Sequence, residues 1–266
     1  AGGGTVLRET VENVELGAVA ERVKNETNML IMNTSKPALD DDDDDNGVSS
    51  TQYAPLLFRQ YFSWNTGISL VDLSGAENDV TITYYDTSGT EQDQDELTLA
   101  PNGMNFVYTR VPPGQQGEGF LGSAVIEADG PIYGAVDEVK YFGEDLDRNH
   151  AMSYMVVSEP ALSDQSLAMP LVQKGDVDAQ DVVHGDTSGI HLFNPADSFI
   201  VLGISYLDEE GEEVFTRVES LNAKEGLTSY TIDLADLPEG FKGSAIIQVL
   251  EGSGSVVGAS NNVNYD

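Results

Sequence analysis

Six aspartates stand in a row from Asp40 to Asp45, inside the stretch SKPALDDDDDDNG. Carboxylates at this density point first to calcium, which takes six to eight oxygen ligands. Asp40, Asp41, Asp42, Asp43, Asp44 and Asp45 are therefore candidate ligands. The spacing departs from the calcium loop D-x-[DN]-x-[DN]-G with a glutamate at position 12, because Val48 and serines follow Asn46 and Gly47. Adjacent like charges also repel one another and favour a solvated loop. The run reads as such a loop, a diffuse collector of cations, with a specific calcium site as the alternative. A second acidic stretch, KGDVDAQDVVHGD (174–186), spaces Asp176, Asp178, Asp181 and Asp186 around glycine. Alternate acids offer better ligand geometry, so Asp176, Asp178 and Asp181 are candidate metal ligands. His184 stands among them as a candidate imidazole ligand, or as a plain surface histidine. No cofactor is required by these patterns, and calcium is the candidate ion.

Two other histidines complete the set. His191 falls on an alternating segment where it should face solvent, and His150 falls in the expected linker GEDLDRNH. There is no H-E-x-x-H, no G-x-S-x-G elbow, no phosphate-binding G-x-x-x-x-G-K-[ST] and no G-x-G-x-x-G after a strand. EGSGSVVG (251–258) is glycine-rich, but no helix pattern follows, so it reads as a hairpin turn. Acidic pairs abound because acids abound, so a glycosidase pair cannot be argued from their presence. The expectation is a protein with no catalytic residues. Aromatics cluster in QYFSWNTG, where Tyr61 and Trp64 are candidates for stacking on sugars. Packing against the chain's own strands is the competing role for a lone tryptophan. Asn25 (NET) and Asn33 (NTS) fit the N-x-[ST] glycosylation pattern.

Any such residue must be positioned by a scaffold, and the composition bounds what that can be. The chain has 266 residues, enough for two ordinary domains. It carries 12 basic and 46 acidic residues, a net charge of −34. A nucleic acid or an anionic membrane surface would be repelled by it. Screening salt or bound divalent cations would relieve the self-repulsion. There is no cysteine, which removes disulfides, thiolate metal sites and cysteine nucleophiles. No apolar run approaches the roughly 20 residues of a membrane span, so membrane insertion is not expected. The opening AGGGT reads as a processed N-terminus, and the balance of features as an extracellular or cell-surface protein.

Internal repetition defines the architecture. TGISLVDL (66–73) resembles SGIHLFNP (188–195), and VTITYYDTSG (80–89) resembles LGISYLDEEG (202–211), both offset by 122 residues. GFLGSAVI (119–126) returns as GFKGSAII (240–247), and PIYGA (131–135) as SVVGA (255–259). APLLFRQ (54–60) returns as MPLVQKG (169–175) at an offset of 115, and SKPAL as SEPAL at 123. The first copy thus carries about seven extra residues, and the aspartate run lies in that insertion, 40–46. Within each copy Val80, Ile82 and Tyr84, or Leu202, Ile204 and Tyr206, alternate with solvent-facing positions, the period of a strand. DTSG, DEEG, APNG, LPEG and EADG read as turns. Gly122 and Gly243, early in their strands, mark a bulge or a close backbone approach.

The segments YAPLLFRQYFSWNTGISLVDL, VTITYYDTSGT and GFLGSAVIEADGPIYGAVDEV together resemble the tandem β-sandwich repeats of secreted bacterial and archaeal cell-surface proteins. The likeness covers most of residues 50–140 and, more loosely, 165–264, where the tryptophan and the aromatic cluster are missing. It implies surface location and a structural or adhesive role, with no catalytic residues.

The expected fold is all-β: an N-terminal extended arm (1–25) and two tandem Ig-like antiparallel β-sandwiches (26–145 and 146–266). The arm has no counterpart in the second copy. Val14, Leu16 and Ala18 alternate with Glu15 and Gly17, which suits a strand; Leu7, Val11, Val14 and Ala18 also fit a helical face. Val6, Val11, Val14, Leu16 and Ala18 are the candidate assembly residues. An extended arm can complete the sheet of a neighbouring copy, and head-to-tail donation builds a ring or an open filament. The expected function is a non-enzymatic, self-assembling subunit of a pilus-like filament or surface layer, with itself as partner. The alternative is an adhesin or carbohydrate-binding module that takes surface glycans.

Overall fold

The structure, a computed structural model, describes residues 20–26, 29–35, 49–108, 119–140, 150–158, 160–162, 165–180 and 182–264. Among these the chain is almost entirely strand, and its one helical turn is a 3-10 turn at Thr231–Asp233. The arm residues Val6, Val11, Val14, Leu16 and Ala18, the run Asp40–Asp45, and Asp181 lie outside the described residues.

The chain divides into two compact units, residues 1–84 with 92–159, and residues 85–91 with 160–266. The repeat places the boundary at 145/146, whereas the packing places it at 159/160. The difference is one strand, β9, described below.

The first unit opens with β1 (Ala20–Glu26) and β2 (Met29–Ser35), which pair antiparallel as a two-stranded sheet of their own. Next come β3 (Ser49–Tyr61), β4 (Trp64–Asp72), β5 (Asn78–Asp86), β6 (Glu91–Leu99) and β7 (Met104–Tyr108). They are followed by β8 (Phe120–Lys140) and β9 (His150–Met155). The sheet runs β6-β5-β8-β3-β4-β7, with β9 added to β8. β8 does two jobs. Residues 120–127 pair with β3, and residues 132–140 pair with β4. EADG, expected as a turn, stays extended within β8. The Asn78 side chain replaces a turn's hydrogen bonds there, accepting from the Gly130 N–H at 2.9 Å and donating to the Gly130 carbonyl. His150, expected in a linker, is the first residue of β9.

The second unit contains β10 (Ser166–Gln173), β11 (Asp176–Val177), β12 (Val183–His184), β13 (Asp186–Phe193) and β14 (Ile200–Asp208). Then come β15 (Glu213–Leu221), β16 (Gly226–Tyr230), β17 (Lys242–Gly252) and β18 (Val257–Asn264). One sheet runs β10-β17-β14-β15 and the other β16-β13-β18. All the pairings are antiparallel. Between the sheets lies one apolar core, with Ile190 and Leu192 from the second sheet and Leu202, Ile204, Tyr206, Ala245 and Ile247 from the first. The build is sandwich-like. β10 pairs with β17 and β18 with β13, an order that differs from the ABED and CFG sheets of the immunoglobulin constant fold. EGSGSVVG is not a hairpin turn. It carries the chain from β17 in one sheet to β18 in the other, because Val256 and Val257 are drawn into the core.

The repeat is visible as one pairing plan used twice. β3, β4, β5, β6 and β7 correspond to β10, β13, β14, β15 and β16, and β8 corresponds to β17 and β18 joined. Ile68, Leu70, Val80, Ile82, Tyr84, Ala124 and Ile126 fill the first core as their counterparts fill the second. Each unit also has a bulge at the same place, between Ala54 and Leu57 on β3 and between Met169 and Val172 on β10. Gly122 and Gly243 sit opposite these bulges, paired with Leu57 and Val172. A Cβ on Gly243 would lie 2.0 Å from the Leu207 carbonyl oxygen, so only glycine fits that approach.

Candidate functional site

Strands β3 and β4 meet in a two-residue hairpin closed by the Tyr61–Trp64 pair. Phe62 and Ser63 occupy its centre at φ 45° and 70°, and Gln60 just before it has φ 53°. A hairpin loop with φ positive at both central residues matches the twist of its strands, but it normally takes Asn-Gly or Gly-Gly. Here three residues with side chains adopt it, at a cost of roughly 1–3 kcal/mol each. Gly119 makes room: a Cβ there would lie 2.3 Å from the Gln60 carbonyl oxygen.

The hairpin holds an aromatic group. Phe58 is buried and stacks on Tyr61 with centroids 5.9 Å apart and on Trp64 at 5.7 Å. Phe62 meets Tyr61 edge-on at 4.8 Å and is 74% exposed. The Lys140 ammonium lies 5.8 Å from the Trp64 ring centre, and the Arg59 guanidinium 5.4 Å from the Phe120 ring centre. Tyr61 and Trp64, the expected stacking residues, are thus brought together, half-buried, and braced from below by Phe58. The exposed aromatic surface belongs to Phe62. QYFSW contains no glycine, asparagine, aspartate or proline, so local composition gives little sign of the hairpin that presents Phe62.

The acidic stretch resolves differently. Asp178 accepts the backbone N–H groups of Gln180 at 2.8 Å and Val182 at 2.9 Å, and its other oxygen lies 3.2 Å from His184 Nε2. These bonds, led by that from Val182, hold its carboxyl below the ordinary aspartate range. Asp86 and Asp208 make the same pair of bonds, to residues two and four further on, in the β5–β6 and β14–β15 turns. Asp178 therefore builds the β11–β12 turn. Asp176 pairs with His184 across that hairpin. Asp186 accepts hydrogen bonds from Gln173 and Asn264. Among the described residues no three histidine, aspartate or glutamate side chains converge as metal ligands. Asn25 lies on β1 opposite Leu30, and Asn33 on β2 opposite Arg22.

His191 does not face solvent. It is 1% exposed on the central strand β13, enclosed by Thr228 and Tyr230 of β16 and Asn261 of β18. Its Nδ1 lies 3.1 Å from the Thr228 hydroxyl. Alternation places it on the outward face correctly; the flanking strands then wall that face off. Burial pulls its pKa down to about 4, so the ring is neutral.

A buried carboxylate was not foreseen at all. Asp72 follows β4's last core residues and is fully enclosed. Burial pushes its pKa up, but hydrogen bonds from Ser74, the Asn102 N–H and Asn78 outweigh it and hold the value at about 2. It ties the β4–β5 loop to the β6–β7 loop at one end of the first unit. Asn194, offset by 122 residues, does the same in the second, donating to the Ser198 and Asn222 carbonyls. Hydrogen bonds from backbone N–H groups and from the Ser74 and Asn78 side chains compensate the burial of the Asp72 carboxylate.

These features define an all-β, repeat-built, sandwich-like protein with an aromatic hairpin and polar loop clamps. No protein-family model matches the chain, and no curated protein matches it.

Proposed function

We propose that this chain is a non-enzymatic structural subunit of an extracellular filament or surface layer, assembled head to tail by donation of an N-terminal strand. The observation that supports this most is the β1–β2 hairpin, a two-stranded sheet with its own pairing that packs beside β9, ahead of the repeated plan. A two-stranded sheet gains stability by packing on or joining a larger one. Tandem sandwich-like units suit a load-bearing subunit. The acidic composition and the N-x-[ST] patterns on β1 and β2 suit a glycosylated cell surface. Among the described residues no helix is long and apolar enough to cross a membrane. Calcium would act by bridging acidic surfaces, the run Asp40–Asp45 included.

Negative-stain microscopy and light scattering in calcium-containing buffer test this reading. Polymers are expected from residues 1–266 and monomers from a version lacking residues 1–35. Monomers from both would overturn it.

The second reading, an adhesin or carbohydrate-binding module, draws on Phe62, which is 74% exposed on a strained hairpin beside Tyr61 and Trp64. Strain of this kind clusters at binding sites. In that case the chain stays monomeric, and glycans quench the fluorescence of its single tryptophan.

A further inference from the structure

We propose that the outward face of the second unit's four-stranded sheet is a pairing surface, and that the same face of a second copy covers it. This goes beyond strand donation and does not depend on it.

The sheet β10-β17-β14-β15 buries one face in the core. Its other face is made by the alternate residues: the odd-numbered ones of 201–207 on β14, and the even-numbered ones of 214–220 on β15 and 244–250 on β17. None of these outward residues is charged, in a chain with 46 acidic and 12 basic residues. Charge returns at the rim, where Glu251 stands opposite Val201.

The repeat supplies the comparison. The same rows in the first unit carry Asp79, Glu96, Glu127 and Asp129, all exposed. In their places the second unit has Val201, Val218, Gln248 and Leu250. The plan itself therefore does not require apolar residues there. Val218 is 61% and Leu250 53% exposed. They flank Gly203: Val218 is its partner on β15, and Leu250 lies over it, 3.2 Å from where a Cβ would stand. Polar side chains on the face bond to one another. The Ser205 and Thr216 hydroxyls are 2.9 Å apart, and Gln248 Nε2 donates to Ser166 Oγ at 3.1 Å. Such a face gains from burying its apolar groups and loses little by leaving water.

Charge selects the occupant. A partner that recognised this chain by charge would be basic and would meet carboxylates, which this face lacks. Facing rows of acids repel, so the surface of this chain that fits the face is the face itself. A patch paired with itself about a two-fold axis closes at two copies. Four strands about 4.8 Å apart, each about seven residues long, cover roughly 450 Å² on each copy. A pair then buries about 900 Å², the size of a weak, reversible contact. The net charge still repels at long range, so pairing needs screening salt.

The first unit supplies the test. Val201→Asp, Val218→Glu and Leu250→Asp together give the second unit the acids that the same plan carries in the first. Gln92→Glu, Asn105→Asp and Gln180→Glu, all exposed and off this face, add the same charge as a control. Full-length chains are compared by sedimentation velocity at about 100 µM in about 0.15 M salt. The unmodified chain and the control are expected to exchange between monomer and dimer. The triple variant is expected to be monomeric, its dissociation constant raised at least tenfold, because its carboxylates would be buried without partners. Urea unfolding checks that it stays folded; if it does not, Val218→Glu alone decides, with a severalfold rise expected. Where head-to-tail assembly also occurs, negative-stain images should show paired filaments from the unmodified chain and single ones from the triple variant. Equal association of the unmodified chain and the acidic variant, or equal loss in the control, would overturn the face-to-face pairing and leave strand donation standing. An unmodified chain that is monomeric at this concentration would overturn both.

Discussion

At His191 the chain spends an imidazole on a position that a serine, Ser69, fills in the first copy. The ring is neutral inside the fold, with a pKa of about 4, while in the unfolded chain it titrates near 6.5. Between those values the unfolded state binds the extra proton, so this residue's support is complete above about pH 6.5 and is lost as pH falls toward 4. Wild type should lose roughly 2–3 kcal/mol more than His191→Gln on going from pH 7.5 to 4.5, read from urea unfolding. Equal losses would mean that the ring is protonated in the folded state. Asp72 acts in a lower window: its folded pKa of about 2 is depressed, so its contribution persists above pH 4 and disappears between there and 2. Both residues were invisible to pattern reading for one reason. Alternation tells which face of a strand a side chain takes, and only the neighbouring strands and loops decide whether that face is closed.

At the scale of elements, the two bulges are the clearest shared device. Just beyond each bulge, a backbone N–H is met by a hydroxyl from the next long strand. The Phe58 N–H donates to Thr66 Oγ1 at 2.8 Å and the Gln173 N–H to Ser188 Oγ at 2.7 Å, with both hydroxyl residues fully buried. Thr66→Val keeps the shape and strands the donor, which costs about 2 kcal/mol; Thr66→Ser should restore most of it. Thermal unfolding checks this, and an unchanged Thr66→Val would mean that the bulge does not depend on the hydroxyl. The glycines opposite the bulges could be read from sequence because a missing side chain inside a strand pattern has few explanations. The turn at EADG and the hairpin at EGSGSVVG were misread because glycine and acid mark irregularity without saying whether the chain reverses. In β8 the Asn78 side chain lets it continue, and after β17 the core draws it across to the other sheet.

For the whole molecule, charge governs association. With 46 acidic against 12 basic residues, any contact between copies brings like surfaces together. The screening length grows from about 8 Å at physiological salt to about 30 Å at 0.01 M. Under the proposed assembly, polymers should therefore shorten or dissolve on transfer to 0.01 M salt with a chelator, and return with calcium or with 0.15 M salt. Light scattering follows both steps. Return with calcium alone, at unchanged ionic strength, would separate cation bridging from simple screening. Polymers indifferent to both treatments would mean that the contacts lie clear of the acidic surface.

Read alone, the amino-acid order established the all-β class, the repeat, and the inward positions of Val80, Ile82 and Tyr84 and of Leu202, Ile204 and Tyr206. Those are properties of spacing: strands alternate with a period of two, and a duplicated plan keeps its offsets. The tertiary structure alone decided where β9 pairs, that His191 is enclosed, that Asp178 builds a turn, and that Phe62 stands out on a hairpin of its own. Each of these depends on strands distant in sequence arriving side by side, and no local pattern encodes which edge a strand will meet.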